Sequence, residues 1–217
     1  MKRRSFLSSI SIGSGGILLA SPSIAQMAPA IHSETKRSAE QLQADVIIAG
    51  GGMGACAAAL AACRNGMRVI LTEETEWIGG QVSQQGVPPD EHPWIESHGA
   101  PASYRVYRKR VRDYYKRNYP LTADAKNREN LNPGDGSVSL LCHEPLVTVA
   151  VLTEMLMPFI SAGKLTILTE CKIKSADVDG DMVKAEEAYN RKTNQTVILN
   201  APYFVDDTEC GDLLPLT

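Results

Sequence analysis

The sequence predicts an α/β fold in which helices cover a parallel β-sheet and an antiparallel β-meander is inserted into the chain. The first observation is a β-branched strand at 45–49, a glycine turn, an Ala-rich helix and a second apolar strand at 69–72, which is the order of a parallel β-α-β unit. The second is a short apolar strand at 165–169 followed by three β segments with turn residues between them: 171–178, 182–190 and 196–199. The third is an apolar strand at 203–206, which returns the chain to the parallel sheet.

The N-terminal residues predict an export signal followed by a linker. The paired arginines Arg3 and Arg4 precede a mildly apolar, Gly/Ser-rich run, and 23–25 fit a small-x-small cleavage site, so 1–25 are interpreted as a twin-arginine signal peptide. The predicted partner is the twin-arginine export machinery, and the predicted location is periplasmic or exported. A Sec signal and a membrane anchor are the alternatives, although the run is too short and too interrupted for a stable membrane span. Residues 26–43 are polar, which predicts a disordered or loosely helical linker before a domain at 44–217.

The glycine turn after the first strand has the spacing of a dinucleotide-binding motif. Gly50 allows the tight turn from strand to helix, and Gly52 has no side chain, so a pyrophosphate can approach the backbone. The first helical turn, which includes Met53 and Gly54, presents free N–H groups and the positive end of the helix dipole to the phosphates. Ala55 takes the place of the third glycine, where a small residue lets helix and strand pack closely.

An acid at the end of the second strand supports the same site. Glu73 lies about 20 residues beyond the first glycine, where a carboxylate accepts hydrogen bonds from an adenosine ribose. An acid at this position disfavours a 2′-phosphate, which makes NADP the poorest candidate. A Gly-rich turn in an unrelated α/β protein does not explain Glu73, and FAD and NAD both remain open on these residues alone.

Three segments carry a resemblance to a known family. Residues 73–81 place a Gly-Gly pair soon after the ribose acid, and 86–92 and 207–213 continue the likeness. Together they resemble the bacterial FAD-dependent oxidoreductase family, which has a glutathione-reductase-like fold and is related to the flavin module of heterodisulfide reductase. The resemblance runs from residue 44 to the C-terminus. It implies a Rossmann-like FAD-binding domain with an inserted meander, and FAD as the cofactor.

The resemblance also implies where FAD is contacted and what the chain does. The implied contacts are Gly79, Gly80 and Gln81 beside the diphosphate, Ile173 at the adenine, and Thr208, Gly211 and Asp212 near the flavin. The implied reaction is hydride transfer between flavin and a small organic substrate. Two departures are noted: Glu209 replaces a common glycine, and the chain stops at Thr217, so a substrate domain is expected to be missing and this fragment to be inactive. An NAD-dependent dehydrogenase or reductase and a non-catalytic truncated remnant are the alternatives.

Two helices and a loop are predicted between the glycine motif and the meander. Tyrosines at helical spacing predict a helix over 104–114 whose arginines and lysines form a solvated face. The alternative is that one or two arginines meet the FAD diphosphate or an anionic substrate. Residues 121–140 are rich in Asn, Asp, Gly and Ser and predict an exposed loop. A helix from Pro145 to Gly163 follows, and the predicted apolar face is Leu146, Val149, Leu152, Leu156 and Ile160.

Composition and the remaining reactive side chains limit the function. The net charge of −3 gives no general reason to expect a nucleic-acid partner. The five cysteines include no C-x-x-C pair, so no metal or iron–sulfur ligand set is predicted. His92, His98 and His143 are candidates for moving a substrate proton, but the sequence assigns no catalytic residue. It does not predict the substrate, the electron acceptor or the oligomeric state.

Overall fold

The computed structural model describes residues 39–217. In chain order the strands are β1 (Glu40–Gln43), β2 (Val46–Ala49), β3 (Val69–Thr72), β4 (Leu165–Leu168), β5 (Cys171–Asp179), β6 (Met182–Asn190), β7 (Gln195–Asn200) and β8 (Tyr203–Asp206). The α-helices are α1 (Met53–Arg64), α2 (Gln81–Gln84), α3 (Ala102–Asn118), α4 (Ala123–Asn127) and α5 (Pro145–Ser161), and a 3-10 turn follows at Leu214–Leu216. The predicted signal at 1–25 lies outside the described residues.

The central sheet is parallel, as the sequence predicts. Its strand order is β4-β3-β2-β8, and every neighbouring pair is parallel. Ile47 lies opposite Ile70 on one side and Phe204 on the other, so the first strand of the chain's β-α-β unit is central. The carboxyl ends of β2, β3 and β8 therefore meet at one edge, which is where open α/β sheets bind their ligands.

A second sheet contains the predicted meander and one unpredicted strand. Strands β5, β6 and β7 are antiparallel neighbours, and β1 pairs in parallel with the free edge of β7. The prediction of a disordered or loosely helical linker is therefore wrong for its last four residues, 40–43. The edge of β7 offers unpaired backbone groups, and Asn200 donates its side-chain amide to the Leu42 carbonyl at 3.3 Å. The rest of that linker, up to residue 38, lies outside the described residues.

The parallel sheet is buried on both faces. Along β2, Val46 and Ile48 belong to a core shared with α1, α3 and α5, whereas Ile47 and Ala49 belong to a core shared with the meander. Side chains of a strand alternate between faces, and both faces are covered here, so all four residues are buried. The result is a three-layer α/β/β arrangement, which confirms the predicted fold class.

The buried face of α5 differs from the predicted one. Leu146 is 58% exposed, while Val147 and Val151 are buried beside Leu152 and Leu156. The helix is apolar on nearly all sides, so its periodicity could not decide which face packs on the sheet. Pro158 lies inside the helix without ending it before Ser161.

The helix α3 is not solvated along its whole basic face. Arg108 and Arg112 are buried, and both form ion pairs with Glu96, while Arg108 also pairs with Glu91. The acids come from the loop before the helix, which helical periodicity cannot reveal. The predicted exposed loop at 121–140 likewise contains α4, and its Leu131 is buried in the core. Within residues 39–217, no helix has the length and apolar character needed to cross a membrane.

Candidate functional site

The glycine turn lies at the carboxyl end of β2 and packs against β8. Gly50 has a φ of +93°, and a Cβ added there would lie 2.2 Å from the backbone oxygen of Asp207. No side chain fits at that approach, and the positive φ also favours glycine. Asp207 in turn donates its backbone N–H to the Ala49 carbonyl at 2.7 Å, and Gly79 donates to Gly51 at 2.7 Å. The turn is thus held from two directions by segments distant in sequence.

Glu73 organises the same turn from the end of β3. One carboxylate oxygen accepts the Gly51 N–H at 2.9 Å, and the other accepts the Thr75 N–H at 2.8 Å and a Gln84 amide N–H at 3.3 Å. The residue is 6% exposed. Hydrogen bonds to a carboxylate are among the stronger ones in proteins. Glu73 therefore fixes the turn and the segment that follows β3 in one geometry.

A cleft of about 340 Å³ opens at this edge of the parallel sheet. Six of the residues predicted from the sequence line it together: Gly50, Gly52, Glu73, Ile173, Thr208 and Asp212. They come from separate strands, so the fold brings together positions that are distant in the chain. The volume lies within the range of small-molecule sites. The cleft also contains Glu209, which the sequence marks as a departure from the family pattern. The other lining residues were not singled out from the sequence: Gly51, Thr72, Glu74, Thr75, Gln84, Cys171, Lys172, Asp207 and Cys210.

The other predicted cofactor residues lie outside this lining. Ala55 is fully buried, and Gln81 is the exposed first residue of α2. Gly79 and Gly80 form the approach to α2, and a Cβ on Gly80 would lie 3.1 Å from the Gly52 Cα, so this segment touches the glycine turn directly. The remaining three are Met53 and Gly54, which line an apolar cavity of about 280 Å³ between α1, α3 and α5, and Gly211, which has a positive φ of +68°.

The C-terminal motif forms a compact turn beside the cleft. Asp206 accepts the Thr208 N–H at 2.9 Å and its hydroxyl at 2.7 Å, and its second oxygen accepts the Leu213 N–H at 3.1 Å. Burial raises the pKa of Asp206, but these hydrogen bonds outweigh burial and hold the pKa below its ordinary value. Thr208 also accepts the Asp212 N–H at 2.6 Å. The acid thus positions the two residues that line the cleft.

Asp207 is the most consequential residue that the sequence reasoning missed. Its carboxylate lies against the first turn of α1, where Cβ atoms on Gly52 and Gly54 would approach its two oxygens to 2.5 and 2.3 Å. Burial raises its pKa, and the charges of Asp206 and Glu73 raise it further, although the N–H groups of Ala55 and Gly52 oppose the shift. Its place beside α1 depends on the pairing of β8 with β2, for which the local sequence carries no signal.

The lining of the cleft is strongly acidic. Among its described residues, five carry carboxylates and one is a lysine: Glu73, Glu74, Asp207, Glu209 and Asp212 against Lys172. Lys172 is already paired, with Glu74 at 2.8 Å and Asp212 at 3.5 Å. A diphosphate in this cleft would therefore be held by backbone N–H groups and the helix dipole rather than by basic side chains.

The candidate proton-transfer histidines lie away from the cleft lining. His143 is hydrogen-bonded to the Leu141 carbonyl at 2.9 Å, and its other nitrogen lies 2.5 Å from the Thr148 hydroxyl and 3.2 Å from the Tyr107 hydroxyl. Burial lowers the pKa of His143, which favours the neutral ring. A methyl of Thr148 lies 3.0 Å from where a Gly79 Cβ would be, so Thr148, which belongs to this network, packs against the Gly79–Gly80 segment.

His92, His98 and the cysteines complete the set of reactive side chains. His92 accepts the Trp94 N–H at 3.2 Å in the loop before α3, and His98 is hydrogen-bonded to Ser97 at 2.8 Å in the same loop. All five cysteines are free thiols. Across residues 39–217, no group of three or more His, Cys, Asp or Glu side chains is placed to hold a metal ion.

Several solved structures are similar to this chain at low sequence identity. The glycerol-3-phosphate dehydrogenase from Bacillus halodurans complexed with FAD has 17% identity and a TM-score of 0.45, covering 76% of this chain and 34% of that one. The L-proline dehydrogenase from P. horikoshii has 16% identity and a TM-score of 0.40, covering 80% and 24%. The THI4 protein from Thermovibrio ammonificans has 16% identity and a TM-score of 0.44, covering 76% and 57%. The chain thus spans less than two thirds of each.

The family assignment rests on the sequence itself. A search of curated proteins found no match. The sequence model of the family described as FAD dependent oxidoreductase matches residues 45–217, which include the glycine turn, the acid after β3, the meander and the C-terminal motif. The chain belongs to the FAD-dependent oxidoreductase family, and its cofactor is FAD.

Proposed function

We propose that this chain is the FAD-binding part of an exported flavin oxidoreductase that transfers hydride between FAD and a small organic substrate. The observation that carries the proposal is the cleft at the carboxyl edge of the parallel sheet. There the glycine turn, the ribose acid Glu73, Ile173 and Thr208 converge from separate strands. A glycine turn at a helix N-terminus, followed by an acid at the end of the next strand, is the arrangement that binds an adenosine diphosphate.

Each group in the cleft has a separate task in binding FAD. The backbone at Ile173 would border the adenine, Glu73 would accept hydrogen bonds from the ribose, and the N–H groups around Gly52 would face the diphosphate. Thr208 and Asp212 would lie near the flavin. The other proposed contacts are Gly50, Met53, Gly54, Ala55, Gly79, Gly80, Gln81 and Gly211. When bound, the flavin supplies the hydride chemistry, and the protein supplies position and electrostatics.

The position of Glu73 makes the proposal testable by cofactor titration. Glu73→Ala removes a ribose acceptor and also frees the Gly51 N–H, so we expect FAD affinity to fall by about 1–3 kcal/mol, the scale for a hydrogen bond to a charged group. Titrations of the purified chain with FAD and with NAD, monitored by flavin absorption or calorimetry, measure this. Glu73→Gln keeps the size of the side chain and is expected to lose less.

Glu76→Gln provides the matched control for these titrations. Glu76 is an exposed acid in the same segment and does not line the cleft, so its neutralisation should leave FAD affinity unchanged. Circular dichroism of every variant separates loss of binding from loss of fold. A correctly folded Glu73→Ala protein with wild-type FAD affinity, or tighter binding of NAD than of FAD, would contradict the proposed site.

The exported location is part of the same proposal. Twin-arginine export carries folded proteins, and FAD is made and loaded in the cytoplasm, so an exported FAD enzyme would use that route. The paired arginines, Arg3 and Arg4, and the cofactor motif at 50–55 therefore support each other. We also propose the relation to the flavin module of heterodisulfide reductase on the basis of the segments 73–81 and 207–213.

A further inference from the structure

The N–H groups of the glycine turn already face carboxylates of the chain. Gly51 donates to Glu73 at 2.9 Å, and the N–H groups of Gly52 and Ala55 face the Asp207 carboxylate. The Asp207 carboxylate thus lies at the position of a cap for α1, a helix that has no capping side chain of its own and no acid in its first turn. The negative charge that stabilises this helix end comes from the strand end of β8, at the other end of the described chain.

This cap stands where the proposed site needs a phosphate. The positive end of α1 and the donors of its first turn are the groups that hold a dinucleotide diphosphate. Both oxygens of Asp207 lie within 2.5 Å of the positions that Cβ atoms on Gly52 and Gly54 would take. The space left by these glycines is therefore filled by a carboxylate of the chain itself. A diphosphate and the charged Asp207 carboxylate compete for the same donors.

Within the described residues, the cleft offers a displaced carboxylate no unpaired cation. Among the described residues that line the cleft, Lys172 is the one basic side chain, and it pairs with Glu74 and Asp212. Two acids that face Asp207 from neighbouring elements raise its energy when charged: Glu73 from the end of β3 and Asp206 from β8. The Cys56 thiol on α1 is neutral, because burial and the charges of Asp207 and Glu73 raise its pKa to about 12. Across the cleft Glu209 adds a further acid.

We propose that the Asp207 carboxylate occupies the diphosphate end of the cleft in the free chain. When FAD binds, this carboxylate takes up a proton and becomes neutral. The inference rests on the proposed FAD site and adds a residue that sets its affinity and pH dependence. The proton comes from solvent and binds a carboxylate oxygen of Asp207, so no other bond is made or broken. Since binding takes up a proton, FAD affinity falls as the pH rises.

Burial and neighbouring acids act in the direction that this proposal needs. Burial is the largest cause that raises the pKa of Asp207, followed by repulsion from Asp206 and Glu73. An approaching diphosphate adds negative charge and raises this pKa further. Asp207 is therefore protonated on binding at a higher pH than an ordinary aspartate would be.

Calorimetric titration of the full chain with FAD tests the proposal without relying on turnover. Titrations in two buffers that differ in ionisation enthalpy give the number of protons taken up, and we expect up to about one per FAD. Asp207→Asn removes the charge and keeps the shape, so it should abolish proton uptake and tighten FAD by roughly tenfold at neutral pH. Glu76→Gln removes an acid from the exposed segment and should leave both quantities at wild-type values.

The possible outcomes separate this inference from the proposed function. If the wild-type chain binds FAD without proton uptake, and Asp207→Asn binds no tighter, the role of Asp207 is overturned while the FAD site stands. If neither folded protein binds FAD, the proposed function itself fails. If Asp207→Asn fails to fold, Asp207→Ser takes its place in the titrations. The pH dependence of FAD binding to the wild-type chain is a further test, because an affinity that does not change with pH contradicts the proposal.

Discussion

The glycine turn packs against two carboxylates, and three of its four glycines face one of them. A Cβ on Gly51 would lie 2.6 Å from a Glu73 oxygen, and those on Gly52 and Gly54 would lie against Asp207. The need for glycine at these positions therefore comes from the chain itself as well as from any ligand. A substitution in the turn is expected to act on the apo protein before a cofactor is added.

Gly54 offers a direct test of this packing. In the wild-type background, Gly54→Ala should cost about 1–2 kcal/mol of unfolding free energy, since the new Cβ drives the Asp207 carboxylate off its helix cap. In the Asp207→Ala background, the same substitution should stabilise by about 0.5–1 kcal/mol because alanine is a better helix former than glycine. Denaturant unfolding of the four proteins measures the cycle. Equal effects of Gly54→Ala in both backgrounds would show that the contact between residue 54 and Asp207 does not contribute to stability.

The difference between Glu73 and Asp207 shows how far sequence reasoning reaches at single residues. Glu73 could be predicted because it is related to Gly50 by a fixed spacing within one β-α-β unit. The role of Asp207 depends on β8 pairing with β2, across an intervening helical region and the whole meander. No local pattern encodes that pairing, so the residue could be read only as part of a motif.

The same limit applies to whole elements. The parallel strands and the meander could be predicted, because each has its own apolar pattern and turn residues. Strand β1 could not, since Glu40–Gln43 has mostly polar side chains and becomes a strand only by adding to the edge of β7. The short helix α4 and the buried face of α5 depend in the same way on neighbours that the local sequence does not identify.

The ion pairs that fasten the loop 91–96 to α3 give a prediction at the level of elements. Arg108 is buried between Glu91 and Glu96, so Arg108→Ala leaves Glu91 without its ion-pair partner, while Glu96 keeps Arg112. We expect a loss of about 3–5 kcal/mol of unfolding free energy, the range for breaking a buried ion pair from one side. The exposed Arg105 on the same helix is the control, and Arg105→Ala should change stability by less than about 0.5 kcal/mol.

Thermal or denaturant unfolding of both variants decides whether α3 is held in this way. A loss of comparable size for Arg105→Ala would mean that helix propensity, not the buried pairs, determines the effect. If Arg108→Ala is neutral, the loop is held to α3 by its apolar contacts alone. Ile95, which is 5% exposed in that loop, would then be the next residue to replace.

For the whole molecule, the proposed export route depends on Arg3 and Arg4. Replacing both by lysine keeps the positive charge but removes the paired guanidinium groups that define a twin-arginine signal. We expect the precursor to remain in the cytoplasm, as measured by cell fractionation and immunoblotting. Arg37→Lys lies outside the signal and serves as the control, which should be exported normally. Periplasmic double-lysine protein would instead assign the segment to the Sec class.

A buried acid between the two sheets couples the stability of the whole domain to pH. Glu186 on β6 is 1% exposed, and within the described part of the chain neither of its carboxylate oxygens has a hydrogen-bond partner. Burial, with a smaller contribution from the charge of Asp206, raises the pKa of Glu186 to about 7. A buried group without a partner is more stable in its neutral form, so the folded chain holds this proton more tightly than the unfolded chain does.

The sign of the pH effect follows from this difference in proton binding. Between the ordinary pKa of glutamate and about 7, the unfolded chain has lost the proton and the folded chain retains it, so stability falls as the pH rises through that interval. Each pH unit accounts for about 1.4 kcal/mol, which gives a loss of the order of 3 kcal/mol by neutral pH.

Glu186→Gln cannot ionise and should remove this slope, making the variant the more stable protein above neutral pH. Denaturant unfolding of wild type and Glu186→Gln across this pH interval measures both slopes. Glu187 is the neighbouring acid and accepts a hydrogen bond from Ser175, so Glu187→Gln is the control and should retain the wild-type slope. If Glu186→Gln and wild type lose stability in parallel, the Glu186 carboxyl is ionised in the folded chain and the two sheets must open enough to solvate it.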